Sequence, residues 1–100
     1  MLKTSLVVRI VAKPGKEEEV AAFLAGALPL AQAEAFTPAW FALRSDKSTF
    51  WIVDAFASDA DRTRHLTGPI AAALMAKAGE LLAEPPRIDK ADVLAAKLPG

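Results

Sequence analysis

A chain of 100 residues that is 53% apolar, with 22 alanines and only five glycines, has the composition of one compact domain spanning 1–100, not of a disordered segment. Lys plus Arg and Asp plus Glu number 12 each and neither sign forms a long run, so the basic surface that nucleic acid requires is missing. No cysteine is present, which rules out disulfides and thiolate metal sites and leads us to expect a cytoplasmic protein; no stretch approaches the ~18 uninterrupted apolar residues of a membrane span.

The first element predicted is a strand over 5–13, where Val7, Val8, Ile10 and Val11 are β-branched. Lys3 ahead of this apolar run gives it the look of a secretory leader, but Arg9 interrupts the run and Pro14-Gly15 closes it as a turn does. Glu17, Glu18 and Glu19 then place negative charge on a helix N-terminal turn, and Val20, Phe23, Leu24, Ala27 and Leu28 follow at helical spacing. Pro29 must kink or end that helix near Leu28, with another turn possible over 30–35.

Thr37-Pro38 opens a second strand, and Ser45-Asp46-Lys47-Ser48 is the polar cluster that turns it back into a third. Closing this hairpin on a two-residue Asp46-Lys47 turn sets Arg44 opposite Thr49, Ala42 opposite Trp51 and Trp40 opposite Val53 on one face. Phe41, Leu43, Phe50, Ile52 and Asp54 then share the other, and Arg44 stacks diagonally on Trp51. Both faces of the hairpin are apolar, which implies that both are covered. A chain this short has helices for one side only, so a second copy is expected on the other.

Ser58-Asp-Ala-Asp61 has capping-box spacing and starts a short helix through Leu66. Gly68-Pro69 separates it from a helix carrying Ile70, Ala73, Leu74, Lys77, Ala78 and Leu81 on one face; Pro85-Pro86 end that helix, and 87–95 alternates as a fourth strand. The order is strand, helix, strand, strand, helix pair, strand. That is the plan of an α+β ferredoxin-like sandwich, a four-stranded antiparallel sheet with helices on one face.

His65, the one histidine, is the side chain suited to act as a general base near neutral pH; the alternative is a histidine placed near a helix C-terminus because the dipole favours it. Asp54 sits on an apolar strand face with Phe50, Ile52 and Phe56 and needs a partner, either His65 or a cation such as Arg9 or Lys90. Trp40 and Trp51 offer flat surfaces for a planar aromatic ligand, or else fill the core or an interface. Arg44 binds a ligand oxyanion or caps the Trp51 ring. A single histidine without cysteine does not make a nitrogen or sulfur metal site, and no Gly-rich phosphate loop follows any strand, so neither a metal nor a cofactor is expected.

In Lys13-Pro-Gly-Lys-Glu-Glu, the central hairpin, Asp54-Ala-Phe56 and His65-Leu-Thr-Gly, taken in that order and spacing, the chain resembles the antibiotic biosynthesis monooxygenase family over nearly its whole length. The resemblance implies a homodimer forming a dimeric α+β barrel, a pocket between sheet and helices, and oxygenation without metal or flavin. It makes His65 and Asp54 candidate catalytic residues and Trp40, Arg44, Trp51 and Phe56 candidate contacts to a small aromatic ligand such as a hydroquinone or polycyclic phenol. A non-catalytic dimeric binding module of the same fold is the alternative. Three departures stand out: Gly68-Pro69-Ile70 replaces a second histidine, 71–77 lacks the axial histidine of haem-degrading relatives, and no tyrosine is available as a phenolic donor.

Overall fold

The computed structural model describes residues 1–99. Its elements in chain order are β1 (Thr4–Val11), α1 (Glu17–Gly26), α2 (Leu28–Gln32), β2 (Ala39–Arg44), β3 (Thr49–Phe56), α3 (Asp59–Leu66), α4 (Pro69–Leu81) and β4 (Arg87–Asp92). The strands form one antiparallel sheet in the order β2-β3-β1-β4, with α1 to α4 on one face. This is the ferredoxin-like α+β fold expected. Pro29 does not simply stop the first helix: it takes an early position of α2, where its missing N–H has no helical partner to lose. The fourth strand is shorter than 87–95 because Asp92 already pairs with Thr4, the first residue of β1, and beyond it only the Val93 N–H still bonds back, to the Lys3 carbonyl.

The hairpin register differs from the expectation by one residue. Arg44 stands opposite Phe50, Leu43 opposite Trp51, Ala42 opposite Ile52 and Trp40 opposite Asp54. The cause is Asp46. Its Oδ1 accepts the backbone N–H groups of both Ser48 and Thr49, at 2.9 and 2.8 Å, and the Ser45 N–H bonds to the Thr49 carbonyl, so the loop spans three residues instead of two. A slip of one residue turns every side chain of one strand to the other face. Trp40, Ala42 and Arg44 therefore share the helix-covered face with Phe50, Ile52, Asp54 and Phe56, whereas Phe41, Leu43, Trp51 and Val53 share the outer one. Arg44 does not stack on Trp51: its guanidinium lies 5.0 Å from the Phe50 ring and pairs with Glu18 at 2.9 Å.

Leu6, Val8 and Ile10 of β1, Phe50, Ile52 and Phe56 of β3, Val20 and Leu24 of α1 and Leu74 and Leu81 of α4 make one buried core between sheet and helices. The outer face has no such cover. Phe41 and Leu43 are 53% and 48% exposed there, beside half-buried Val7, Trp51 and Val53. No helix among the described residues is long and apolar enough to cross a membrane.

Candidate functional site

The Ser58 hydroxyl caps α3 by accepting the Asp61 N–H at 3.1 Å, which sets the phase of a helix whose inner face carries His65. From the neighbouring strand, Asp54 points inward beneath it. A third residue that the motifs do not include, Glu34 in the connection between α2 and β2, comes from the other side. The His65 Nδ1 lies 2.6 Å from Glu34 Oε1 and its Nε2 3.2 Å from Asp54 Oδ2. All three are buried, at 5%, 7% and 2% exposure for His65, Glu34 and Asp54. The Phe56 ring stands 5.3 Å from the imidazole and closes the group from the core side.

Each carboxylate has a further anchor. Thr37 donates its hydroxyl to Glu34 Oε1 at 2.9 Å, and the Leu6 N–H donates to Asp54 Oδ1 at 3.1 Å. The remaining oxygens, Glu34 Oε2 and Asp54 Oδ2, are buried without a directed hydrogen bond, as is the indole N–H of Trp40 directly across the ladder from Asp54. The Asp54 Oδ2 contact to His65 is within ion-pair range but poorly directed for a hydrogen bond. Burial disfavours the charged imidazole, but the contacts with Asp54 and Glu34 outweigh it and raise the His65 pKa above its ordinary 6.5. A protonated ring between two carboxylates is what this geometry stabilises.

The other candidate residues do not join this group. Trp40 and Phe56 adjoin it on the inner face, Phe56 wholly buried and Trp40 packed against the core. Trp51 lies on the outer face, its indole N–H held by the Ser45 hydroxyl at 2.8 Å. Arg44 sits at the hairpin end, where it lines a groove of about 140 Å³ between α1 and β2. As for a cationic partner of Asp54, Arg9 points away and pairs with Glu84 at 2.7 Å. Among the described residues no group of three or more histidine, cysteine, aspartate or glutamate side chains is arranged to hold a metal ion; Glu34 and Asp54 approach opposite ring nitrogens instead of converging on one point.

Three larger cavities are apolar. One of about 580 Å³ lies between Leu2, Pro38, Ala57 and the segment 93–98, one of about 280 Å³ on the outer sheet face beside Phe41 and Val53, and one of about 260 Å³ between α1, α2 and α4. His65 lines none of these nor the Arg44 groove.

The chain is similar over its whole length to a solved protein. A protein of unknown function from Nitrosomonas europaea is 59% identical and superposes with a TM-score of 0.98, over 100% of this chain and 97% of that one. The two belong to one family. The fold is that of the antibiotic biosynthesis monooxygenase-like proteins: one proposed to be such a monooxygenase, also from Nitrosomonas europaea, is 17% identical with a TM-score of 0.81 over 92% of this chain and 90% of its own. Another from Caulobacter crescentus is 18% identical with a TM-score of 0.79, covering 94% and 92%. No protein-family model matches the chain, and no curated protein does.

Proposed function

We propose that this protein is a cytoplasmic, cofactor-independent monooxygenase that oxidises a small hydroquinone or polycyclic phenol with dioxygen, and that the Glu34–His65–Asp54 group is its proton-exchange centre. The observation that carries this reading is the buried histidine with a carboxylate at each ring nitrogen, Glu34 Oε1 at 2.6 Å from Nδ1 and Asp54 Oδ2 at 3.2 Å from Nε2. Titratable groups buried against specific charged partners cluster at functional sites. The likeness to the two proposed monooxygenases supports the reaction class.

In such a reaction the substrate supplies the electrons. A hydroquinone and dioxygen give a hydroxyquinone and water, one oxygen atom entering the product and the other the water, so the protein has only to move protons, orient the ring and exclude bulk water. Trp40, half-buried on the same face as Asp54, is the wall we assign to the aromatic ring, with Phe56 backing His65 from the core. Oxygen consumption with a panel of hydroquinones, corrected for the rate without protein, tests this. His65→Ala should lower turnover by about 10²-fold. Equal rates with and without protein for every member of the panel would overturn the reading.

The active form we propose is a homodimer joined through the outer sheet face, since Phe41, Leu43, Val7, Trp51 and Val53 form an apolar surface that one chain leaves uncovered. A non-catalytic binding module is the second reading. It is favoured by the apolar lining of the larger cavities, of which His65 lines none, and a tight complex with an apolar ligand but no turnover would select it.

A further inference from the structure

Glu34 is the one charged residue between Glu19 and Arg44, and a charge in such an apolar stretch is buried at a cost unless something holds it. Here its Oε1 receives two donors, the Thr37 hydroxyl at 2.9 Å and His65 Nδ1 at 2.6 Å. The second is short and charge-assisted, the stronger class of hydrogen bond. Asp54 meets the opposite nitrogen at 3.2 Å without good direction. The two sides of the ring are thus unequal: one proton is gripped and the other loosely held.

We propose that Glu34 is the positioning residue of this centre: its Oε1 fixes the proton on Nδ1 of His65 and thereby makes Nε2, facing Asp54, the nitrogen that exchanges a proton. On losing that proton the imidazolium becomes the neutral Nδ1–H tautomer, still bonded to Glu34, and Nε2 is left with a lone pair; uptake of a proton at Nε2 restores the cation. Thr37 orients Glu34 as Glu34 orients His65. The last turn of α3, to which His65 belongs, adds a negative dipole end that favours the cation. Other charged side chains of α3 are engaged elsewhere: Arg62 with Asp59 at 3.4 Å, and Arg64 with Asp61 at 3.9 Å and over the Phe36 ring at 4.2 Å. Glu34 from the α2–β2 connection and Asp54 from β3 are the ionisable groups in contact with the ring; β1 contributes only the Leu6 N–H to Asp54, and β3 also the apolar Phe56.

The grip also depends on Gly68. A methyl group there would come within 3.1 Å of Glu34 Oε2 and within 3.2 and 3.3 Å of the Arg64 and His65 carbonyl oxygens. Glycine leaves room for the carboxylate beside the end of α3, and alanine would crowd Glu34 by a few tenths of an ångström without removing its charge.

A part in turnover rests on the monooxygenase reading above, but the tautomer does not, so the two fail separately. His65 is the chain's single histidine, and its ring nitrogens give unambiguous ¹⁵N NMR signals in the intact protein. Titrated upward in pH, the neutral ring should keep its proton on Nδ1; a neutral ring protonated on Nε2 would overturn the proposal at once, with no variant needed. In Glu34→Gln the titration midpoint should fall and the Nδ1 preference should be lost. In Asp54→Asn the midpoint should fall while the Nδ1 preference persists. A merely structural Glu34 predicts an unchanged tautomer in Glu34→Gln, and that result would refute the assignment. Should Glu34→Gln not fold, Gly68→Ala decides: a weakened Nδ1 preference supports the role and an unchanged one contradicts it. Absence of turnover with every phenol, alongside an Nδ1–H tautomer, would remove the proposed reaction and leave the positioning role standing.

Discussion

The two faces of the central sheet are made by alternate residues of the same strands, yet they have opposite fates. Phe50, Ile52, Asp54 and Phe56 of β3 point inward and are almost wholly buried; Trp51, Val53 and Ala55, their neighbours in the chain, point outward and remain half-exposed. The inner face is covered by the chain's own helices, and the charge buried against it is anchored, Asp54 by the Leu6 N–H and His65 by Glu34. The outer face is apolar, nearly free of charge on β2 and β3, and carries no helix. Apolar surface that a chain cannot cover itself marks the place of a partner, and buried charge marks the place of chemistry or of a costly structural device. That contrast also separates the two classes of experiment below.

The largest expected effect is on the inner face. Asp54→Ala removes the counter-charge of Nε2 and the acceptor of the Leu6 N–H together, and stability should drop by about 3–5 kcal/mol, the usual cost of breaking a buried pair on one side. Urea unfolding measures it. A loss below about 1 kcal/mol would mean that His65 is not charged when Asp54 is present.

On the outer face the corresponding change acts on association rather than folding. Replacing Phe41 and Leu43 together by Glu should convert the proposed dimer, which needs to bury more than ~1,000 Å², into a folded monomer. Light scattering would show the halved mass and circular dichroism an unchanged helix content. A wild-type monomer at micromolar concentration would break the comparison outright, because the outer face would then be tolerated bare.

How far this contrast is legible in the sequence depends on the residue. The strands and helices follow from local signals: β-branched alternation in β1, the Glu17–Glu19 start of α1, the Ser58 cap and the Pro and Gly stops. That both hairpin faces are apolar is also plain. Which residue lies on which face is not, because a single side chain, Asp46, adds one residue to the loop by capping two N–H groups, and no periodicity reports that. His65 and Asp54 stand out as a lone histidine and a charge on an apolar strand. Their meeting with Glu34 is a tertiary event across 31 residues of chain; its one trace is that Glu34 interrupts an otherwise uncharged run from Val20 to Leu43.

A smaller effect is the pH dependence of stability. The folded His65 pKa is raised above the 6.5 of the unfolded chain, so the stabilisation from its charged form is complete below about pH 6.5 and is lost as pH rises through the higher folded midpoint. Urea midpoints should therefore fall from pH 6.5 upward in the wild type. In His65→Gln this fall should vanish. A stability that rises up to about pH 6.5 and is flat above it would show that the ring is neutral in the fold.

The smallest effect belongs to Arg44, and its smallness is the point. Arg44 and Glu18 are paired at 2.9 Å, a distance comparable to the contacts of His65, but Glu18 is largely exposed and Arg44 sits at the hairpin end, where water competes for both. Screening and side-chain entropy offset most of such a contact. Arg44→Ala should leave the urea midpoint unchanged within error, even though the guanidinium also covers the Phe50 ring and donates to the Lys47 carbonyl at 2.8 Å. Salt distinguishes the two ionic sites. Raising ionic strength should leave the His65 titration nearly in place while abolishing any trace of the Arg44–Glu18 coupling in a double-mutant cycle. A large loss on Arg44→Ala would mean that the hairpin end is held by packing on Phe50 rather than by charge, and replacement by Met, which keeps the stem and drops the charge, would then restore it.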